Sequence, residues 1–193
     1  GKSILKRTIE NLTLLHNFDI VQIVINEDDK ELFFKEKIET TKNLSVCFGG
    51  KERTNSVFKG LQSLKRYNPK YVLIHDAVRP FTSKKIIDDI LNELKKFDAI
   101  MPVLPIVDAM WFKKKNLLTP QKQRENFLRA QTPQGFKFKK ILKAHEENSK
   151  NFNDDVELAL NSGLSIGTIE GSEDNFKVTN KEDFLKTERY LNC

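Results

Sequence analysis

The run Ile74 to Pro80 holds His75, Asp76 and Arg79, and it sets an acid just past an apolar strand pattern, where α/β proteins gather ligand contacts. An aspartate there can hold a divalent cation or accept hydrogen bonds from ribose hydroxyls. It can equally cap the next turn and pair with Arg79. His75 reads as a half-buried packing residue, because no second histidine lies near it in sequence. Gly49 and Gly50 lead through Arg53 to Ser56 as a glycine turn opening a helix. That geometry leaves backbone N–H groups for a base edge or a phosphate, although two glycines before a helix also make an ordinary connection.

Two further segments carry polar chemistry. Gln131–Thr132–Pro133–Gln134–Gly135–Phe136 mixes polar, rigid and flexible residues, as a binding loop or a plain turn would. Asp174 to Thr179 places Lys177 beside an alternating stretch, where a lysine is usually solvated. Asn153–Asp154–Asp155 is most simply a helix N-terminus with acids in its first turn.

The elements that must position these residues alternate in type. Helical spacing covers Ile4 to Leu15, and a β-branched run follows over Ile20 to Ile25. A helix over Lys30 to Lys37, a strand over Val46 to Phe48, a helix over Arg53 to Leu64 and a strand over Tyr71 to Ile74 come next. Ile86 to Leu94 marks a helix and Ala99 to Val103 a strand. Residues 108–131 break the rhythm and read as an arm leaving the sheet. Helices over Phe138 to Glu147 and Asp154 to Leu160, a strand over Leu164 to Ile169 and a helix over Lys181 to Leu191 finish the chain. Such alternation predicts an α/β fold with a mostly parallel sheet.

Composition narrows the classes. The 193 residues carry 33 Lys and Arg against 27 Asp and Glu, a formal charge of +6, with 38% hydrophobic and 31% charged residues. A chain of this length buries about 70% of its unfolded surface, enough for one core, which predicts one domain. Lysines interleave with acids over the whole length, so the sequence predicts no nucleic-acid partner. No window nears the roughly 20 apolar residues of a membrane span, which predicts no membrane partner. Gly1 to Arg7 lacks the order of a secretory signal, and the chain is expected to begin part-way through a gene product. Cys47 and Cys193 have no metal-binding spacing, so reduced thiols in a cytoplasmic protein are expected.

The blocks together resemble one family. Gly49-Gly50-x-Glu52-Arg53-x-x-Ser56-Val57, His75-Asp76-Ala77-x-Arg79-Pro80, Pro102-Val103 followed by Asp108, Arg129 to Phe136, Asp154-Asp155, and Glu170-Gly171 with Asn175-x-Lys177-x-Thr179 are similar to the bacterial 2-C-methyl-D-erythritol 4-phosphate cytidylyltransferases. The resemblance implies a Rossmann-like nucleotidyltransferase domain over residues 1–193, with helices on both faces of a mostly parallel sheet and a protruding dimerisation arm at 108–131. It implies transfer of a cytidylyl group from CTP to a polyol phosphate, with Mg²⁺ on the triphosphate, in a homodimer serving non-mevalonate isoprenoid biosynthesis.

Residue by residue, Arg124 and Lys177 match the catalytic cations at the acceptor phosphate, Arg124 reaching into the partner's site. Gly49, Gly50 and Ser56 match positions that read the cytosine edge, while Asp76 and Ala77 match positions around ribose and acceptor. Arg53, Arg79, Asp108 and Thr132 are further substrate-binding matches, and Asp76 is the candidate for touching Mg²⁺. Ala109 stands where the family usually has Thr, Lys51 where it has an acid, and Asn153 where it has Thr. The family's first strand, glycine-rich loop and Pro-Lys-Gln lysine are expected upstream of Gly1, and this chain without them is expected to be catalytically impaired. A ribitol 5-phosphate cytidylyltransferase, suggested by Val78 and Phe81, and a non-catalytic nucleotide-binding or dimerisation module are the alternatives.

Overall fold

Local signals start and stop the elements of the computed structural model, which describes residues 1–38, 44–120, 123–148, 150 and 152–192. Ser3 caps α1 (Ile4–Leu15) by accepting the Lys6 N–H at 3.2 Å, and the helix buries Thr8 and Ile9. β1 (Val21–Ile25) pairs in parallel with β2 (Leu44–Phe48), and the short α2 (Lys30–Lys35) lies between them in sequence. α3 (Arg53–Leu64) follows the glycine turn and packs on both strands.

The larger sheet begins with β3 (Tyr71–Ile74). Ser83 caps α4 (Lys84–Glu93), which leads to β4 (Ala99–Pro105). β5 (Trp111–Lys114) and β6 (Leu117–Pro120) form a hairpin closed by Lys115 and Asn116, with Lys115 at φ 54°. β7 (Leu128–Ala130), β8 (Gln134–Lys137), α5 (Phe138–Glu147), α6 (Asp155–Asn161), β9 (Ile166–Glu170) and α7 (Lys181–Asn192) complete the order.

β3, β4 and β9 run the same way, because β9 pairs in parallel with β4 and β8 lies antiparallel between β3 and β4. The α/β class and the parallel sense of the main strands agree with the sequence reading. β7 and β8 are new. They follow one another along the same edge of β4, with Val103 opposite Ala130 and Ile100 opposite Gly135. Residues 131–134 therefore stand opposite 101 and 102 alone, a bulge that pushes the polar residues of Gln131 to Pro133 out of the ladder. The expected arm holds the β5–β6 hairpin, and Cys193 lies outside the described residues.

Alternation along the strands divides the core between the two faces. Val72, Ile74 and Ala99 pack with α3, α5 and α6, while Tyr71, Leu73 and Ile100 pack with α4. At the start of β4, Asp98 anchors the far end of the sheet by pairing with Lys137 at 3.0 Å and Lys140 at 2.7 Å. Burial opposes that charge, but the two lysines and Ser165 outweigh it and hold the carboxyl well below the usual range.

Gly135 permits the approach of α4 to β8. A Cβ there would lie 2.2 Å from Ile90 Cγ2 and 3.1 Å from Leu94 Cδ1, both on fully buried side chains. Gly135→Ala is expected to cost about 2 kcal/mol through overpacking, lowering the thermal midpoint by roughly 5 °C. An unchanged midpoint in a calorimetric scan would contradict this packing.

Candidate active site

Three segments meet at the carboxyl ends of the main strands. Ile74 is paired with Gln134, so the end of β3 meets the bulge at Thr132. Val103 is flanked by Ala130 on one edge and Glu170 on the other, so the loop after β9 arrives at the same end. Val178 N–H donates to the Val78 carbonyl at 2.9 Å, which fastens that loop to the turn carrying Asp76. α7 supports it from outside, with Tyr190 against Phe81 and Phe176.

Asp76 is the centre of the cluster. Its Oδ2 lies 3.2 Å from Arg79 Nε and 3.3 Å from Lys177 Nζ. Burial raises its pKa, but the Lys177 and Arg79 charges and hydrogen bonds outweigh burial and leave the carboxyl below the usual range. The Arg79 side chain is 11% exposed and its Nη1 also donates to the Asn175 carbonyl at 2.7 Å, so this guanidinium braces the site. Lys177, with 47% of its side chain exposed, presents its charge to the cleft.

Backbone and hydroxyl contacts fix the same turn. Asp76 N–H donates to Thr132 Oγ1 at 3.0 Å, and Thr8 Oγ1 donates to the Ala77 carbonyl at 2.8 Å. His75 keeps some exposed area, but its ring nitrogens sit beside Thr132, Thr82 and the Arg79 carbonyl. Burial lowers its pKa to about 4, opposed by the Arg79 carbonyl and the Asp76 charge, so it is neutral near pH 7. With both nitrogens engaged it packs and binds locally, as its sequence context suggested.

A second group gathers after β2. Gly50 N–H donates to Ser56 Oγ at 3.0 Å, and Lys59 Nζ donates to the Gly49 carbonyl at 2.9 Å. A Cβ on Gly49 would lie 2.6 Å from Ser56 Oγ, so the serine can close the turn only on a glycine. Arg53 Nη2 lies 2.7 Å from Asp155 Oδ2, while Asp155 Oδ1 lies 3.3 Å from His145 Nε2. Asp155 and His145 are almost wholly buried, and His145 stacks on Phe58. Asp155 therefore holds Arg53 from behind, a role its position at a helix start did not suggest.

Both groups line one cavity of about 1410 Å³, which includes Arg53, Ser56, Asp76, Ala77 and Lys177. The cavity runs between β1 and β3, which pair only with β2 and β8 among the described residues. Asp108 and Arg124 stand apart. Both are exposed, and Arg124 Nη1 donates to the Val107 carbonyl at 2.7 Å within the arm. Among the described residues no hydrogen bond or ion pair joins either to Asp76, Arg79 or Lys177.

Sequence reasoning gave no role to Gln131, Thr82 or Asn175, all buried at this site. Gln131 Nε2 donates to the Ser172 carbonyl at 2.8 Å and its Oε1 accepts the Ser172 N–H at 3.1 Å, closing the loop after β9. The spacing Asn175-x-Lys177 was the available signal. For Mg²⁺ the protein donors are few, since Asp76 Oδ2 already serves two cations. Among the described residues no group of three His, Cys, Asp or Glu could hold a metal, so these side chains do not fit a protein-built Mg²⁺ site.

A cation and a shared carboxylate at the carboxyl end of an α/β sheet stand where proteins of this architecture bind their ligands, which is the class the fold defines. The chain matches the family IspD, 2-C-methyl-D-erythritol 4-phosphate cytidylyltransferase, over residues 1–193, and it belongs to that family. It is 37% identical to the 2-C-methyl-D-erythritol 4-phosphate cytidylyltransferase of Roseobacter denitrificans, over 90% of this chain and 76% of that protein. It is 35% identical to the bifunctional enzyme IspD/IspF of Wolbachia pipientis wMel, over 95% of this chain and 47% of that protein. The chain thus spans about half the length of the bifunctional relatives it matches. Among solved structures, 4-diphosphocytidyl-2C-methyl-D-erythritol synthase from Anaerococcus prevotii superposes with TM-score 0.88 at 25% identity, covering 100% of this chain and 87% of that one.

The pKa of His75 makes a stability prediction. An unfolded histidine takes up a proton near pH 6.5, whereas His75 in the fold resists until about pH 4. Between those values the unfolded state binds more protons, so stability falls as the solution is acidified, by about 3 kcal/mol in total from this residue. Urea titrations from pH 7 to 4 should give a shallower pH dependence for His75→Gln than for the wild type. Parallel curves would contradict the buried neutral imidazole.

Proposed function

We propose that this protein transfers a cytidylyl group from CTP to 2-C-methyl-D-erythritol 4-phosphate, releasing pyrophosphate and forming CDP-methylerythritol for non-mevalonate isoprenoid biosynthesis. The observation that carries this reading is the placement of Lys177 and Asp76 in a cavity also lined by Arg53 and Ser56, in a chain that belongs to this family. A phosphomonoester oxygen attacks the α-phosphorus in line, a new P–O bond forms, and the bond from the α-phosphorus to the bridging oxygen breaks with pyrophosphate leaving. Two anions must approach, so the protein contributes position and positive charge.

In this reading Lys177 meets the phosphates as a compact point charge, and Asp76 accepts hydrogen bonds from substrate hydroxyls. The Gly49–Gly50 turn and Ser56 take the cytosine edge, with Arg53 beside them. Thr132, Arg79 and Ala77 shape the acceptor side, and Asp108 serves it from the arm. Mg²⁺ would be carried by the triphosphate and not by these side chains, and it would supply charge neutralisation there.

The protein works as a cytoplasmic homodimer in this proposal. The hairpin supports it, because Trp111 and Leu118 on one of its faces and Phe112 and Leu117 on the other are exposed and offer apolar surface to a second copy. Arg124 would reach the acceptor phosphate of the partner's site, which accounts for its distance from the Asp76 cluster in its own chain.

The test is pyrophosphate release from CTP and Mg²⁺ with either methylerythritol 4-phosphate or ribitol 5-phosphate. Release with methylerythritol 4-phosphate is expected. Release with ribitol 5-phosphate alone would move the assignment to the sister activity, and silence in both would leave a binding module. Arg124→Ala and Lys177→Ala should each lower turnover at least about 100-fold, a loss of about 2.7 kcal/mol. Asn126→Ala, beside Arg124, should change turnover much less, and full activity in both cation variants would sink the mechanism.

A further inference from the structure

Four residues from three segments close a ring of hydrogen bonds behind Asp76 and Lys177. Asn175 Nδ2 donates to the Thr132 carbonyl at 2.8 Å, and the Thr132 hydroxyl lies 3.2 Å from His75 Nδ1. His75 Nε2 lies 3.0 Å from the Arg79 carbonyl, and Arg79 Nη1 returns to the Asn175 carbonyl at 2.7 Å.

The Arg79 carbonyl can only accept, so Nε2 carries the proton of the neutral imidazole and Nδ1 is an acceptor. The Thr132 hydroxyl therefore donates to Nδ1 while its oxygen accepts the Asp76 N–H. Thr82 obeys the same pattern: its hydroxyl donates to Asn175 Oδ1 at 3.0 Å, and its oxygen lies 3.4 Å from Nε2. One arrangement of protons satisfies every member, and such a network holds its atoms more firmly than separate pairs would.

The ring has a consequence for chemistry. The one hydroxyl proton of Thr132 is committed to His75, so it is not available to a phosphate oxygen. Asn175 is fully buried and two residues from Lys177, while Thr132 holds the backbone of Asp76. We propose that Thr132, His75 and Asn175 are positioning residues, which set Asp76 and Lys177 relative to one another and act on the acceptor phosphate only through them. This rests on the cytidylyl-transfer reading above.

Thr132→Ser keeps the hydroxyl, whereas Thr132→Val keeps the shape and removes both its bonds. In the full-length protein Thr132→Ser should retain kcat/KM within about 3-fold, and Thr132→Val should lower it at least about 10-fold. In the Lys177→Ala background Thr132→Val should cost no more than about 2-fold further, because the cation it places is gone. Full additivity would mean that Thr132 meets the substrate itself, and it would overturn the proposal.

A second readout needs no turnover. The ¹⁵N spectrum of the His75 ring at pH 7 should show a protonated Nε2 and a bare Nδ1, in the wild type and in Thr132→Ser. An Nδ1–H tautomer would overturn the ring, including in the event that Thr132→Val does not fold. Absence of pyrophosphate release from the wild type would count against the cytidylyl-transfer reading, while the imidazole spectrum would still test the ring.

Discussion

Two cations share one oxygen of Asp76, and the rest of the site is arranged around that fact. A half-buried carboxylate would be costly alone, and two adjacent cations would repel each other without it. Held together, the two cations keep the Asp76 carboxyl below the usual carboxylate range, and the Lys177 amine faces the cleft. Arg79 faces the opposite way, to the Asn175 carbonyl. One cation is structural and the other is available, although both resemble family site residues in sequence.

The sheet explains why these residues meet. β3, β4 and β9 end together, and the bulge between β7 and β8 brings Thr132 to the end of β3. Asp98 locks the opposite end of the same strands with Lys137 and Lys140, so the ligand end has a rigid base. The glycine turn is held separately, through Asp155 and His145 behind Arg53. Two independently braced walls thus face one cavity, an arrangement suited to bringing two anionic substrates together.

The main strands were legible because each is a short apolar run bounded by polar residues, and the main helices because their apolar residues recur at helical spacing. β7 and β8 were not. Leu128–Ala130 is exposed throughout, and Gln134–Lys137 holds a glycine and a buried glutamine, so neither shows an apolar pattern. Their pairing comes from the available edge of β4, which lies about thirty residues away in sequence. At the site, Asp76 was readable as an acid just past a strand, and Lys177 through its match to the family's motif. The bonds among His75, Thr132 and Asn175 were not, because they join neutral groups up to 57 residues apart that have no spacing rule.

The most direct measurement is a crystal structure of the full-length protein with CTP and methylerythritol 4-phosphate bound under conditions that prevent turnover. The account predicts substrate phosphate oxygens within hydrogen-bond reach of Lys177 Nζ, substrate hydroxyls on Asp76, and the Thr132 hydroxyl still on His75. Both substrates bound away from the Asp76 and Lys177 pair would contradict it.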